Sequence, residues 1–225
     1  MFRTREPHTP FKPEHFSRFD EGDDARFYVP ERMVQHLDDA ARGRLIAWYR
    51  DHLPAGGRIL DLMSSWVSHL PDDVSYGTVA GLGMNRAELD ANPRLNERVV
   101  HDLNADPRLP FDNGVFDACV IALSVQYLTR PLEVFGDIAR VLVPGGICAV
   151  SFSNRCFPSK AVAIWRALDD SAHVGLVGMY FRHADGFDEP RHTQSPPPDL
   201  TSDPLFVVMA QRAADFSPEN GNPTE

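Results

Sequence analysis

Leu53-Pro-Ala-Gly-Gly-Arg-Ile-Leu-Asp-Leu-Met63 closes one element and opens another within a single short stretch. Pro54 and the glycine pair end helical periodicity and permit a turn. Arg58 to Met63 then reads as a short apolar strand closing on an acid, Asp61. Upstream, Met33, Leu37, Ala41, Leu45, Ile46 and Tyr49 recur at helical spacing after Pro30, which predicts a helix over 31–53. Downstream the pattern alternates: strands at 79–83, 98–102, 116–123 and 147–152, a short helix at 86–90, and a helix at 132–142 with Leu132, Phe135, Ile138, Ala139 and Leu142 on one face. Pro144-Gly-Gly146 turns that helix into the last of these strands. Alternation of this kind is the sign of an α/β chain, and strands that are apolar throughout belong to a mostly parallel sheet covered on both faces. In such doubly wound sheets ligands sit at the carboxyl ends of the strands. Those ends carry 61–65, 83–85, 102–103, 124–127 and 153–155.

Composition narrows the partners. The 225 residues hold 32 acids against 22 bases, a net charge of −10, so the surface as a whole repels phosphate backbones and anionic lipid. Nucleic acid and membranes are disfavoured, and no apolar run reaches the ~18 residues a span requires. The 43% hydrophobic fraction suffices for a core without staples. Cys119, Cys148 and Cys156 have neither disulfide-framework nor zinc spacing, and the N-terminal residues lack an apolar signal region, which together predict a reduced, cytoplasmic protein. His183, Asp185 and His192 are too unevenly spaced for a metal site, so no metal is expected. The pattern-poor stretches divide the chain into an arm or lid (1–29), a domain (30–212) containing a Pro-rich loop at 188–204, and a disordered tail (213–225).

Four segments in order resemble a class I S-adenosylmethionine-dependent methyltransferase of the small single-domain type 11 kind: Ile59-Leu-Asp-Leu62, Asp102-Leu-Asn-Ala-Asp-Pro-Arg-Leu-Pro-Phe111, Asn113-Gly-Val-Phe-Asp-Ala-Cys-Val120, and 133–146 ending in Pro-Gly-Gly. The strings Asp61-Leu-Met-Ser-Ser-Trp-Val-Ser-His-Leu-Pro71 and Ser151-Phe-Ser-Asn-Arg155 are similar to those of a narrower plant and bacterial subgroup. The resemblance implies a Rossmann-like, mostly parallel seven-stranded sheet with one antiparallel strand, the last being 204–211. It also implies S-adenosyl-L-methionine as cofactor. Two departures stand out. The family's glycine-rich first loop reads Met63, Ser65 and Val67 here, and the acid that takes the ribose hydroxyls is replaced by Gly83. Either Ser64 and Ser65 are small enough for the cofactor and Asn85 supplies the ribose hydrogen bonds, or the fold persists without the cofactor.

On the first reading, Asp61 holds the cofactor's amino group, Asp102 and the Leu103 backbone read the adenine amino group, and Leu82, Met84 and Leu103 flank the ring. Met63, Ser64, Ser65, Gly83, Asn85 and Ser124 complete the cofactor side. Asn154 and Arg155, a polar pair directly after the fifth strand, are the leading acceptor candidates. His69 is a candidate base because its ordinary pKa lies near working pH, with a loop histidine as the competing reading. Tyr127 follows the fourth strand where the family places acceptor-side residues, and it reads equally as packing. Phe27 and Tyr28 suggest an aromatic flap. Cys156 is not needed as a nucleophile, since a methyl acceptor attacks a sulfonium in line. The expected function is methyl transfer to a small molecule, because what remains outside the sheet leaves room for a modest lid only. The alternative is a non-catalytic binding or partner protein on the same fold.

Overall fold

Ile59, Leu60 and Leu62 have no polar side-chain atoms to solvate, and in the computed structural model β1 (Arg58–Leu62) is buried at every position but its first. The model describes residues 9–195, 199 and 201–218. β1 pairs in parallel with β2 (Thr78–Gly83) on one side and β4 (Phe116–Ala122) on the other, Ile59 lying opposite Val79 and Ala118. β3 (Glu97–Val100) extends the sheet beyond β2, and β5 (Leu142–Phe152) extends it beyond β4. β7 (Leu205–Gln211) runs antiparallel to both β5 and β6 (Arg191–Ser195). The order is β3-β2-β1-β4-β5-β7-β6, seven strands of which only β7 opposes the rest. The chain reverses its build-out at β1 and β4, and that switch point opens the crevice used below.

Helices cover both faces. α4 (Pro131–Val141) and α6 (Asp170–His183) bury Phe135, Ile138, Tyr180 and Phe181 against one face. α2 (Asp39–His52) buries Leu45, Trp48 and Tyr49 against the other, with Ile59, Val79 and Val120. Each such aliphatic or aromatic burial is worth ~1.5–3 kcal/mol. Short helices α1 (Asp24–Phe27), α3 (Arg86–Ala91) and α5 (Ala163–Arg166) sit at the sheet's rim.

Several boundaries differ from the sequence reading. The helix predicted over 31–53 begins only at Asp39, because Asp38 caps it: its Oδ1 accepts from the Ala41 amide at 2.7 Å. Asp38 and Asp203 also exchange backbone-to-carboxylate bonds at 2.8 and 2.6 Å, and Arg44 donates to the Asp203 carbonyl. Residues 31–38 therefore run as a strap rather than a helical turn. The third strand ends at Val100, and Asp102 lies beyond it with Oδ1 accepting from the Asn104 and Ala105 amides. The expected loop at 188–204 contains β6, whose mostly exposed Arg-His-Thr-Gln-Ser face has no apolar period to read. After β5 the chain forms the four-residue α5, and Asp169 caps the longer α6 after it. Pro196 to Pro198 and the end of the tail, 219–225, lie outside the described residues.

The arm folds back on the domain. Phe11 enters the core with its ring centre 5.4 Å from that of Tyr180, the Ser17 carbonyl accepts from the Ala163 amide, and the Asp20 backbone amide donates to the Ser159 carbonyl. Lys160, only 1% exposed, reaches from the domain into this arm.

Candidate functional site

The C-terminal ends of β1, β2 and β4 converge on a cavity of ≈ 190 Å³, roofed by the arm and strap. From β1 and its loop come Asp61, Met63, Ser64, Ser65 and His69; from the β2 end, Gly83, Met84 and Asn85; after β3, Asp102 and Leu103; after β4, Ser124 and Tyr127; after β5, Arg155. The structure thus brings these sequence candidates to one cavity. Asn154 is exposed and does not line it.

Asp61 is enclosed, and its Oδ2 accepts from Ser64 Oγ and Ser68 Oγ, both at 2.6 Å. Burial outweighs those two donors and lifts its pKa from 3.8 to about 6. A folded-state pKa above the unfolded one contributes stability that is complete below 3.8 and lost as pH rises through about 6. Asp61→Asn is therefore expected to raise stability by up to ~3 kcal/mol above pH 6 and to bring little near pH 4. Thermal melts at both pH values check the sign.

Among the described residues three non-glycines have positive φ, Met63 (57°), His69 (54°) and Leu123 (57°), and all three line the cavity. Backbone held in this region costs ~1–2 kcal/mol per residue, strain that concentrates where structure serves a site. Met63 thus adopts the conformation a family glycine would take at no steric cost. Gly83 has a different constraint: a Cβ there would lie 2.2 Å from the Ser64 carbonyl oxygen. His69 is 6% exposed, its Nδ1 is buried without a partner among the described residues, and burial, then Arg42 and His36, lower its pKa to about 4. It is a neutral imidazole throughout the physiological range. Ser124 Oγ is likewise buried without a described partner.

Some candidates are already occupied. The Asn85 amide caps α3, accepting from the Ala87 and Glu88 amides, while its Nδ2 donates to the Tyr28 and Val29 carbonyls at 2.9 and 3.2 Å. Tyr127 Oη accepts from the Phe157 amide at 2.8 Å, the two rings stack at 6.0 Å, and burial pushes its phenol up to about 12. Arg155 Nε pairs with Asp203 at 2.8 Å.

Residues not foreseen as site residues form much of the wall. Glu88, 8% exposed, accepts from Ser65 Oγ at 2.6 Å and from the Arg32 amide at 2.7 Å. Its signal, Asn-x-x-Glu at a helix start, reads from sequence as a capping pair and nothing more. Asp24 takes two bonds from Arg18 Nη1 (2.8 and 2.7 Å), one from Asn104 Nδ2 (2.9 Å), and an ion pair from Lys160 (2.9 Å). Overhead, the Arg32 guanidinium lies 4.4 Å from the Phe27 ring centre and 5.6 Å from those of Tyr28 and Phe157. Of the proposed flap pair, Tyr28 lines the cavity and Phe27 backs it.

The donor set fits the cofactor implied by the family pattern. Carboxylates at the ends of β1 and beyond β3 suit a cationic amine and an aromatic amine, and Leu82, Met84 and Leu103 supply apolar walls. Among the described residues no group of three or more His, Cys, Asp and Glu is placed to hold a metal, and no helix is long and apolar enough to cross a membrane.

Comparison with known proteins agrees with this geometry. Residues 64–150 match the family Methyltransf_11, a methyltransferase domain. A curated relative, the biotin biosynthesis bifunctional protein BioHC of Teredinibacter turnerae, is 38% identical over 66 residues, 29% of this chain but 12% of that protein's length. Among solved structures, a Haloferax volcanii protein in complex with the Trm112 methyltransferase activator superposes with a TM-score of 0.59 at 17% identity, over 79% of this chain and 90% of that one. Phosphoethanolamine N-methyltransferase 2 of Haemonchus contortus, solved with S-adenosyl-L-methionine, gives a TM-score of 0.55 at 12% identity, over 76% and 52% of the two chains. These structural likenesses establish a shared fold, and the domain match covers its central strands. Residues 64–150 thus match a methyltransferase domain, on a fold shared with solved S-adenosylmethionine-dependent methyltransferases.

Proposed function

We propose that the protein methylates a small-molecule acceptor held beneath the strap. The observation that carries this reading is the cover: residues of the segments 24–36 and 155–157 line the cavity at the strand ends together with the cofactor-side residues, so the acceptor side is a concave pocket beneath a strap rather than an open face. Bound S-adenosylmethionine supplies an electrophilic methyl group on a sulfonium. The chain's own contribution is to hold, orient and exclude water. Asp61 takes the cofactor's ammonium, Asp102 and the Leu103 backbone take the adenine edge, and Met84 and Leu103 pack on its faces. Met63, Ser64 and Ser65 border the amino-acid arm.

On the acceptor side, the buried Nδ1 of neutral His69 lacks a partner among the described residues and suits an acceptor's O–H or N–H. Ser124 Oγ offers a second such group. Tyr127 and Arg155 border the same space, Tyr127 as a packing residue tied to Phe157, and Arg155 with its Nε engaged by Asp203. Asn154 has no place in this arrangement.

Calorimetric titration with S-adenosylhomocysteine tests the cofactor half. Saturable binding by the wild type is expected, weakened ~10- to 100-fold in Asp61→Asn by loss of a charge-assisted bond. Absence of binding at millimolar ligand would instead support a non-catalytic protein on this fold, the reading that Met63 in place of bare backbone favours. Incubation with labelled S-adenosylmethionine and a metabolite extract tests the acceptor half, where label in a small product is expected and label only in protein or nucleic acid would refute it.

A further inference from the structure

The family's ribose-binding acid is missing from the end of β2, and the structure shows why it cannot be there. A side chain at 83 would collide with the Ser64 carbonyl, and Ser64 is itself held to β2 by its amide donating to the Leu82 carbonyl at 2.7 Å. The nearest polar alternative, Asn85, has both ends of its amide engaged by α3 and by residues 28–29.

One turn further on, Glu88 lines the same cavity as Gly83, Met84 and Asp102. Its carboxylate is buried, yet among the described residues no lysine or arginine side chain pairs with it. It accepts one hydrogen bond on each oxygen, from the Arg32 amide on Oε1 and from Ser65 Oγ on Oε2. An ionised carboxylate offers about four acceptor sites, so about one per oxygen remains. A buried carboxylate held only by neutral donors, with capacity left on both oxygens, is matched by a ligand presenting two adjacent hydroxyls. Resting on the cofactor reading above, we infer that Glu88, from the first turn of α3, binds the vicinal ribose hydroxyls of the cofactor in place of an acid at position 83. The bond from Arg32 then makes the same carboxylate a link between the bound ribose and the strap that roofs the site.

The test pairs a variant with a ligand that lacks the groups concerned. Wild type and Glu88→Gln are titrated by calorimetry with S-adenosylhomocysteine and with its 2′,3′-dideoxy analogue. Glu88→Gln is expected to weaken the natural ligand ~10- to 100-fold while leaving the dideoxy affinity within about twofold of wild type. Equal loss for both ligands would assign Glu88 a merely structural role and overturn the inference, as would no loss for either. A wild type that binds neither ligand would overturn it together with the cofactor reading, an outcome distinct from the other two. Should Glu88→Gln fail to fold, Ser65→Ala, which removes one of the two donors that orient the carboxylate, is expected to show a smaller loss confined to the natural ligand. An equal or absent effect across the two ligands would again refute the proposal.

Discussion

Asp24→Ala is expected to lower the stability of the folded protein by ~3–5 kcal/mol, the cost typical of breaking a buried ion pair from one side. The residue looks unremarkable in sequence, one of several acids in a polar arm. In the fold its side chain is 4% exposed and lies between Arg18, at 7%, and Lys160, at 1%. Removing the carboxylate leaves two buried cations without their shared acid, with half-exposed Asp20 remaining beside Lys160 and exposed Glu21 beside Arg18. At 2–4 °C per kcal/mol for a chain of this size, the melting temperature at pH 7 should fall by roughly 6–20 °C. A fall under about 2 °C would show that solvent or rearrangement compensates the cations. Burial works to raise the Asp24 pKa, but the bonds from Asn104, Arg18 and Lys160 prevail and hold it below 3.8. A depressed folded-state pKa contributes stability that is present above the unfolded value and lost as pH falls through the folded one. The gap between wild type and variant should therefore be flat near neutrality and narrow below pH 3.8. Because Asp24 also lines the cavity, cofactor affinity should fall with it.

Gly83→Asp restores the acid that the family pattern calls for at the end of β2, and it is expected to damage the protein rather than improve it. The new Cβ would stand 2.2 Å from the Ser64 oxygen, 3.2 Å from its carbonyl carbon and 3.3 Å from Leu89 Cδ2. Backbone cannot swing aside as the end of a flexible side chain can, so the loop after β1 must move. Its contacts, the Ser64 bond to Leu82 and the Ser64 and Ser68 hydroxyls on Asp61, move with it. A cost of ~3 kcal/mol or more is expected. Gly83→Ala should show most of the same loss in thermal melts, because the collision begins at Cβ. If Gly83→Asp instead melts normally and binds S-adenosylhomocysteine more tightly, the loop is looser than its contacts imply, and the case for Glu88 weakens.

The parallel sheet was legible because its strands are apolar on both faces and separated by Pro-Gly punctuation, signals that depend only on neighbours in sequence. Strand-end acids such as Asp61 and Asp102 could be placed for the same reason: once the sheet is recognised, topology assigns them to one edge. The helix at 39–52 was found but begun eight residues early, since Met33 and Leu37 continue the helical spacing while the real start is decided by an aspartate cap locked to distant Asp203. β6 carries no apolar alternation and forms because β7 offers it an edge.

What the sequence by itself determined was the sheet, its order of motifs and the edge that holds the site, all consequences of local hydrophobic pattern and turn chemistry. What only the tertiary structure decided was which polar groups are free at that edge. Asn85 and Glu88 stand three residues apart at one helix start and both line the cavity, yet the first is spent on its cap and on residues 28–29, while the second accepts a single hydrogen bond on each oxygen. That difference rests on where residues 28–32 pass over the site. The path of that segment is set by contacts many residues away, which no window of sequence contains.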